Sequence, residues 1–373
     1  MMVFHSMKVL QLISSSYGYY GAERVCVTLA TELEKMGVGS VVCAFRNTHK
    51  ADHLEVLEHA KQSGLITEEI TCRGRFDWKA VEMLRDVVQR HKIDIVHCHN
   101  IKPNLYTRIA IRGSGVPILS TCHSWHTGTL RGWLISILDR LILLRFDRVV
   151  LVSEHMQRQI RRFGLAGDII YNGIDLEPFM VRSSGLREEM EWSDRPVIGL
   201  IGRLSAEKGQ KYFLQAAVAV LEDFPNALFL IVGDGPDRRS LEVEAKLLGI
   251  GESVRFLGVR NDIPDILSSL DVLVMPSLIE GMPMALLEAM ASGRAVVASK
   301  VGSIPAVVQS RVNGILVPPA DATTLACELR SLLTERGLRE SLGRRAAETV
   351  ANGFSSSSMA SKYLRLYFNM MAA

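Results

Sequence analysis

No stretch of the sequence approaches the roughly 18 uninterrupted apolar residues that span a bilayer. The nearest candidate, Trp133–Leu144, is broken by Ser136, Asp139 and Arg140. A signal-peptide pattern is also missing. The opening MMVFHSMKVLQLIS has no basic segment ahead of its apolar run and no small-residue cleavage site. That run therefore reads as a first strand, with Met1, Met2 or Met7 as the start. There is no C-x-x-C pair. Cys26, Cys43, Cys72, Cys98, Cys122 and Cys327 are scattered, most beside apolar residues, as expected of buried free thiols in a reducing compartment. An excess of one charge is lacking too: 43 basic and 40 acidic side chains leave +3, too weak a field to argue for nucleic acid. The fingerprint G-x-G-x-x-G is absent, which disfavours a dinucleotide-dependent oxidoreductase. No Asp-x-Asp stands at a strand end to hold a divalent metal.

What is present is enough for two cores. The chain has 373 residues, of which 48% are hydrophobic and 22% charged, a globular balance at a two-domain length. Short β-rich runs alternate with longer helical patterns. In the first half, strands are expected at 8–13, 39–45, 66–71, 95–97, 117–121 and 148–152. Helices are expected between them at 22–36, 51–63, 78–91, 104–112 and 133–145. The second half repeats the plan, with strands at 197–201, 227–232, 254–257, 272–276 and 295–299 and helices at 208–224, 236–248, 263–269 and 283–292. Repeated βα winding implies parallel strands covered by helices on both faces. The fold class is thus α/β, two doubly wound Rossmann-like domains facing an interdomain cleft. The domains are expected at 1–180 and 181–353, with a poorly patterned linker at 176–195. Residues 354–373 form a C-terminal helix able to cap either domain, its return to the N-terminal one included. Ligands of such sheets bind outside the carboxyl ends of the strands.

Four segments lie there. The first is Pro276-Ser-Leu-Ile-Glu280-Gly281-Met282-Pro283-Met-Ala-Leu-Leu-Glu288. Pro283 suits a first helical turn. Free amides near Gly281–Met284 can hold sugar or phosphate oxygens. Glu280 can accept from sugar hydroxyls and Glu288 from a ribose diol. The plain alternative is a solvated charge and a helix cap. The second segment is Gly202-Arg203-Leu-Ser-Ala-Glu-Lys208-Gly209. Gly202 permits close backbone approach. Two cations at a helix N-terminus oppose the helix dipole unless an anion sits between them, and a diphosphate fits. Two ordinary surface cations are the alternative. The third, Tyr17-Gly18-Tyr19-Tyr20-Gly21-Ala22-Glu23-Arg24, is a glycine-bearing turn whose amides can reach a phosphate or sugar, or a plain βα loop. In the fourth, Ser120-Thr-Cys-His123-Ser-Trp-His126, a neutral His123 can bond a sugar or acceptor hydroxyl, or serve structure alone. His97, His99, His123 and His126 lack a carboxylate at metal-type spacing, so no metal site is expected.

Together these residues resemble the retaining glycosyltransferases of family 4 (glycosyl transferases group 1), which have the GT-B fold. The likeness covers nearly the whole chain, and its parts come in the family's order. Besides the segments above they are Val152-Ser153-Glu-His-Met, Tyr171-Asn172-Gly173-Ile-Asp175, Val232-Gly233-Asp234-Gly235-Pro236 and Val254-Arg-Phe256-Leu-Gly258. Glu280-x7-Glu288 is the most specific. The resemblance implies that Arg203 and Lys208 bind the donor diphosphate and that Glu288 holds the ribose. Glu280, with backbone at Gly281 and Met282, would hold the sugar. His123 would contact it near the reacting carbon, and Gly21 would approach the phosphates or acceptor. Backbone from Gly258 to Arg260 would meet the base. Where the family often has two adjacent glycines, Tyr20 precedes Gly21.

The implied reaction moves a sugar from a UDP- or GDP-sugar to a glycan or lipid-linked acceptor in polysaccharide or glycolipid synthesis. It retains the anomeric configuration and needs no metal and no cofactor. A cytoplasmic monomer or dimer is expected. The stretch 130–148 reads as a basic amphipathic helix, giving either weak peripheral contact with the inner face of a membrane or ordinary packing on the sheet. Other readings are a nucleotide-sugar epimerase, a phosphorylase relative, for which no pyridoxal-type lysine motif appears, and a non-catalytic nucleotide-sugar binder. The last is at odds with the presence of Arg203, Lys208 and Glu280.

Overall fold

The computed structural model describes residues 7–14, 19, 21–48, 54–74, 76–123, 130–180, 185–192 and 195–372. The chain divides into two compact units, Met1–Gly173 with Ser356–Ala373, and Ile174–Ser355. The first runs β1 (Lys8–Ser14), α1 (Gly21–Lys35), β2 (Gly39–Asn47), α2 (Glu55–Gln62), β3 (Ile66–Cys72), α3 (Trp78–His91), β4 (Ile95–His99), α4 (Ile101–Ala110), β5 (Ile118–Cys122), α5 (Leu130–Leu143), β6 (Arg148–Leu151), α6 (Glu154–Arg161) and β7 (Asp168–Ile169). The second runs α7 (Glu177–Met180), α8 (Gly185–Glu189), β8 (Val197–Ile201), a 3₁₀ turn (Ala206–Lys208), α9 (Gln210–Asp223), β9 (Leu228–Val232), α10 (Arg238–Leu247), β10 (Val254–Gly258), α11 (Ile263–Ser269), β11 (Val272–Met275), α12 (Met284–Ala291), β12 (Ala295–Ser299), α13 (Ile304–Val307), β13 (Ile315–Val317), α14 (Ala322–Thr334) and α15 (Arg336–Gly353). Then α16 (Ser356–Met371) returns to the first unit.

Each unit holds one parallel sheet, ordered β3-β2-β1-β4-β5-β6-β7 in the first and β10-β9-β8-β11-β12-β13 in the second. Side chains alternate across a strand, so each sheet needs apolar cover on two faces. In the first unit Leu10, Leu12, Val41, Cys43 and Phe45 pack with Ala80, Val81 and Leu84 of α3 and Tyr106 of α4. The alternate residues, Ile13, Val42 and Ala44, pack with Cys26 and Ala30 of α1 and Val56 and Leu57 of α2. In the second unit Ile198, Leu200, Phe229 and Ile231 meet Phe213 and Leu214 of α9 and Leu329 of α14. Phe213 and Phe229 cross edge to face, 5.5 Å between centroids. Each such Val, Leu, Ile or Phe side chain, fully buried, stabilises by about 1.5–3 kcal/mol.

Strand order reverses between β1 and β4 in one sheet and between β8 and β11 in the other. There the flanking helices leave on opposite faces, and the carboxyl ends of these strands are where ligands of such sheets bind.

Several expectations change. Helix α4 starts at Ile101, not Asn104, because Pro103 lies in its first turn, where a missing N–H costs nothing. Pro283 flanks α12 in extended conformation instead of entering it. The stretch taken for an unpatterned linker holds α7 and α8, and Arg187 anchors α8 by an ion pair to Asp271 at 2.6 Å and a bond to the Ser269 carbonyl at 2.7 Å. Five cysteines are buried free thiols, but Cys327 is exposed.

Helix α5 departs most. Its polar residues Ser136, Asp139 and Arg140 point inward, whereas Trp133, Leu134, Leu138 and Leu141 are exposed. Asp139 accepts from Asn104 Nδ2 at 2.8 Å, and Asn104 Oδ1 accepts from Ser120 at 2.8 Å, so a polar ladder ties α5 through α4 to β5. The Arg140 guanidinium lies 4.8 Å over the Phe163 ring. Arg140 is therefore no part of a basic surface stripe, and the helix packs by its polar side.

Candidate active site

In the second unit three loops are drawn together at the carboxyl ends of β8, β11 and β12. Gly209 (φ +69°) closes the 3₁₀ turn after β8, and a Cβ there would come within 2.1 Å of the Pro276 carbonyl oxygen. Gly302 (φ +56°) after β12 would likewise meet the Glu280 carbonyl at 2.0 Å. Both positions combine left-handed backbone with close approach, which only glycine satisfies. Amide bonds complete the seam: Leu278 N–H to the Glu207 carbonyl at 2.8 Å and Ser303 N–H to the Gly281 carbonyl at 3.2 Å. The Ser303 hydroxyl donates to that carbonyl as well.

This seam brings Lys208 and Glu280 together. Lys208 Nζ donates to both carboxylate oxygens of Glu280, at 2.8 and 2.9 Å, and the Ser277 hydroxyl donates to Oε1 at 2.7 Å. The Glu280 side chain is 6% exposed and that of Lys208 is 29% exposed. Two residues assigned to different parts of a ligand are thus bonded to each other. Arg203 is exposed, and among the described residues its guanidinium has no ion-pair partner. Its carbonyl is pinned by buried Gln210 Nε2 at 2.8 Å. Glu207 stands nearby. Burial acts to raise its pKa, but the Ser205 hydroxyl, the backbone amide and the charges of Lys208 and Arg203 outweigh that and hold it below the ordinary value.

The remaining expected residues of this unit lie on the same edge of the sheet. Gly202 follows β8 and its amide bonds the Val232 carbonyl at 2.9 Å. Gly258 ends β10 and its carbonyl accepts from Gly233 at 2.7 Å. Gly281 and Met282 precede α12, and Met282 is buried with its sulfur 3.5 Å from the Ser303 hydroxyl. Glu288 lies in the second turn of α12, 2% exposed.

His123 and Gly21 belong to the first unit. Gly21 opens α1, with Tyr19 beside it stacked on His59 at 3.9 Å; Tyr17, Gly18, Tyr20 and His126 lie outside the described residues. His123 follows β5 and bonds His99 across to β4 at 3.0 Å. His97 and His99 are fully buried, which together with neighbouring imidazoles holds them well below the ordinary pKa, and burial pushes His123 down to about 4. All three rings are neutral near pH 7.

Sequence reasoning missed Ser277, Gly302 and Ser303, although Ser277 lies inside the strongest motif. Gly302 and Ser303 follow a strand with no spacing to mark them.

Residues 186–349 match the family described as Glycosyl transferases group 1, and residues 19–178 match Glycosyltransferase Family 4. The UDP-Gal:alpha-D-GlcNAc-diphosphoundecaprenol alpha-1,3-galactosyltransferase of Escherichia coli is 29% identical over 316 residues, 79% of this chain and 80% of the relative. The N,N'-diacetylbacillosaminyl-diphospho-undecaprenol alpha-1,3-N-acetylgalactosaminyltransferase of Campylobacter jejuni is 26% identical over 303 residues, 76% of this chain and 79% of the relative. Among solved structures, Anabaena Alr3699/HepE in complex with UDP superposes with a TM-score of 0.86 at 21% identity, covering 97% of this chain and all of that one.

The ion pair can be tested apart from any activity. In a double-mutant cycle of Lys208→Ala and Glu280→Ala, unfolding by urea should show coupling of about 1–3 kcal/mol, as for bonded charges with one side buried. Additive losses would contradict the pairing.

Proposed function

The chain belongs to the family 4 glycosyltransferases, with the GT-B fold, and from that premise we propose which reaction it performs: transfer of a sugar from a UDP- or GDP-sugar to a glycan or lipid-linked acceptor, with retention and without a divalent metal. The observation that carries this is the exposed Arg203 beside a Lys208–Glu280 pair at the crevice end of β8 and β11.

Breaking the anomeric C–O bond places positive charge on the sugar and negative charge on the departing diphosphate. Arg203 offers a bidentate fork to phosphate oxygens, and Lys208 offers a point charge. Helix-end amides near Gly281 add partial charge at no reorganisation cost. When Lys208 turns to phosphate, the Glu280 carboxylate becomes an acceptor for sugar hydroxyls. One pair of residues thereby serves both halves of the donor. Glu288, a turn further on, is the residue for the ribose.

Retention follows if the acceptor hydroxyl attacks the face that the diphosphate leaves. The new C–O bond forms as the old one breaks, the bonding electrons go to the leaving phosphate oxygen, and that oxygen takes the acceptor's proton. Glu280 is held by Lys208 and Ser277, which suits an orienting carboxylate better than a glycosidase-type nucleophile. The Escherichia coli relative's name supports a uridine donor and a polyprenyl-diphosphate acceptor.

A lipid-linked acceptor implies an approach to a membrane. Among the described residues no helix is long and apolar enough to cross one. Helix α5, however, presents Trp133, Leu134, Leu138 and Leu141 outward, with exposed Arg145 and Arg148 beyond its end. An apolar face next to cations suits the anionic inner leaflet, and we assign it peripheral contact on the cytoplasmic side.

Arg203→Ala should lower turnover of a nucleotide-sugar panel by about 10²-fold, the scale of one lost oxyanion donor. The wild-type product, read by NMR, should keep the donor's anomeric configuration. Near-normal turnover in the variant, an inverted product, or a trapped glycosyl-Glu280 adduct each contradicts the scheme. For the membrane face, the protein should sediment with anionic liposomes at low salt and lose this on Leu138→Glu with Leu141→Glu. Full recovery of the wild type in the supernatant would refute it.

A further inference from the structure

Behind His123 runs a continuous hydrogen-bonded chain that no step above uses. His123 Nε2 meets His99 Nδ1 at 3.0 Å, and His99 Nε2 meets Gln11 Oε1 at 2.8 Å. Gln11 Nε2 donates to Tyr367 Oη at 3.3 Å. Tyr367 Oη meets His97 Nδ1 at 2.8 Å, and His97 Nε2 meets Thr121 Oγ1 at 2.7 Å. Thr121 Oγ1 meets Tyr363 Oη at 2.8 Å. Gln11, His97, His99, Thr121, Tyr363 and Tyr367 are all buried. The two tyrosines come from α16, more than two hundred residues along the chain from β5.

The sense of the chain is set at Gln11, whose amide has a donor end and an acceptor end. Its NH₂ faces Tyr367, so its carbonyl faces His99 and His99 Nε2 carries the proton. A neutral imidazole has one N–H, so His99 Nδ1 is a lone pair. His123 must then donate from Nε2, which leaves its own Nδ1 as an acceptor. The other branch is compatible with this sense: Tyr367 accepts from Gln11 and can donate to His97 Nδ1, with His97 Nε2 then donating to Thr121. Burial, which keeps all three rings neutral, makes this one-proton bookkeeping hold.

We propose that Gln11, His99 and Tyr367 are positioning residues that fix the tautomer of His123, so that the C-terminal helix decides which hydrogen-bonding role this histidine offers a substrate hydroxyl. This rests on the glycosyl transfer proposed above and on His123 contacting the donor sugar, the role that the family resemblance implies for it. With Nδ1 as acceptor, His123 receives a proton-bearing hydroxyl and orients it. Removing the Tyr367 hydroxyl takes away the acceptor of the Gln11 NH₂. The amide can then turn over and present its NH₂ to His99 Nε2. Both rings reverse, and His123 becomes a donor at Nδ1. Tyr363 provides the contrast, being as buried and as far along α16, but bonded only beyond His97.

The test is long-range ¹H–¹⁵N NMR of the full chain labelled with ¹⁵N-histidine, on wild type, Tyr367→Phe, Gln11→Met and Tyr363→Phe. His123 should carry its proton on Nε2 in wild type and Tyr363→Phe, and shift towards the Nδ1–H form in the other two. Sugar transfer should fall about 10- to 100-fold in kcat in those two, with little change in donor KM, the scale seen when the outer partners of metal-ligating histidines are removed. If Tyr367→Phe fails to fold, Gln11→Met carries the test. Protonation on Nδ1 in wild type, or an unchanged Nε2–H in both variants, overturns the proposal. Tautomers that shift as stated, in a protein that turns over no nucleotide sugar, would uphold the network and count against the reaction alone.

Discussion

Parallel strand direction is the constraint on which the rest of this structure depends. Because each strand runs the same way as its neighbours, every βα loop emerges at one edge of its sheet. Where the winding changes direction, two such loops lie side by side with helices parted between them. In the second unit that point falls between β8 and β11, the strands followed by Arg203 with Lys208 and by Glu280 with Glu288. In the first it falls between β1 and β4, and the histidine chain from Gln11 through His99 to His123 crosses it. Residues far apart in sequence are gathered by topology before any specific contact is made.

Local chemistry then refines what topology brings near. Gly209 and Gly302 allow backbones to touch across loops, which pins Glu280 where Lys208 can reach both its oxygens. A carboxylate 6% exposed would pay a heavy desolvation cost alone; with a cation and a hydroxyl it is satisfied. The pair keeps a cation and a carboxylate poised at the crevice, while Arg203 stays open to solvent for an anion. In the proposed reaction these contacts are the ones that the donor's phosphate and hydroxyl groups would replace.

Much of this was legible in the residues. Strand and helix alternation gave the two-sheet plan, and the positions of Arg203, Lys208, His123 and Glu280 after strand ends, with Glu288 in the helix that follows, came from it. Three kinds of feature were not. Contacts between loops depend on a third dimension, so the bonding of Lys208 to Glu280 and the place of Gly302 leave no spacing to read. Helix α5 inverts the usual rule, because Asp139 satisfies itself inside through Asn104 while Leu138 and Leu141 face outward; apolar periodicity reports a face, not its direction. Tyr363 and Tyr367 lie a helical turn apart on a tail that the sequence marks only as a helix able to cap either domain. Their hydroxyls gain meaning only once α16 is seen to return to the first unit.

The central proposal is that protein cations and backbone dipoles, not a bound metal ion, neutralise the leaving diphosphate. Turnover of UDP- and GDP-sugars by purified protein, compared in excess EDTA and in added manganese or magnesium, tests it most directly. The account predicts equal rates in both. Activity abolished by EDTA and restored by either ion would contradict it.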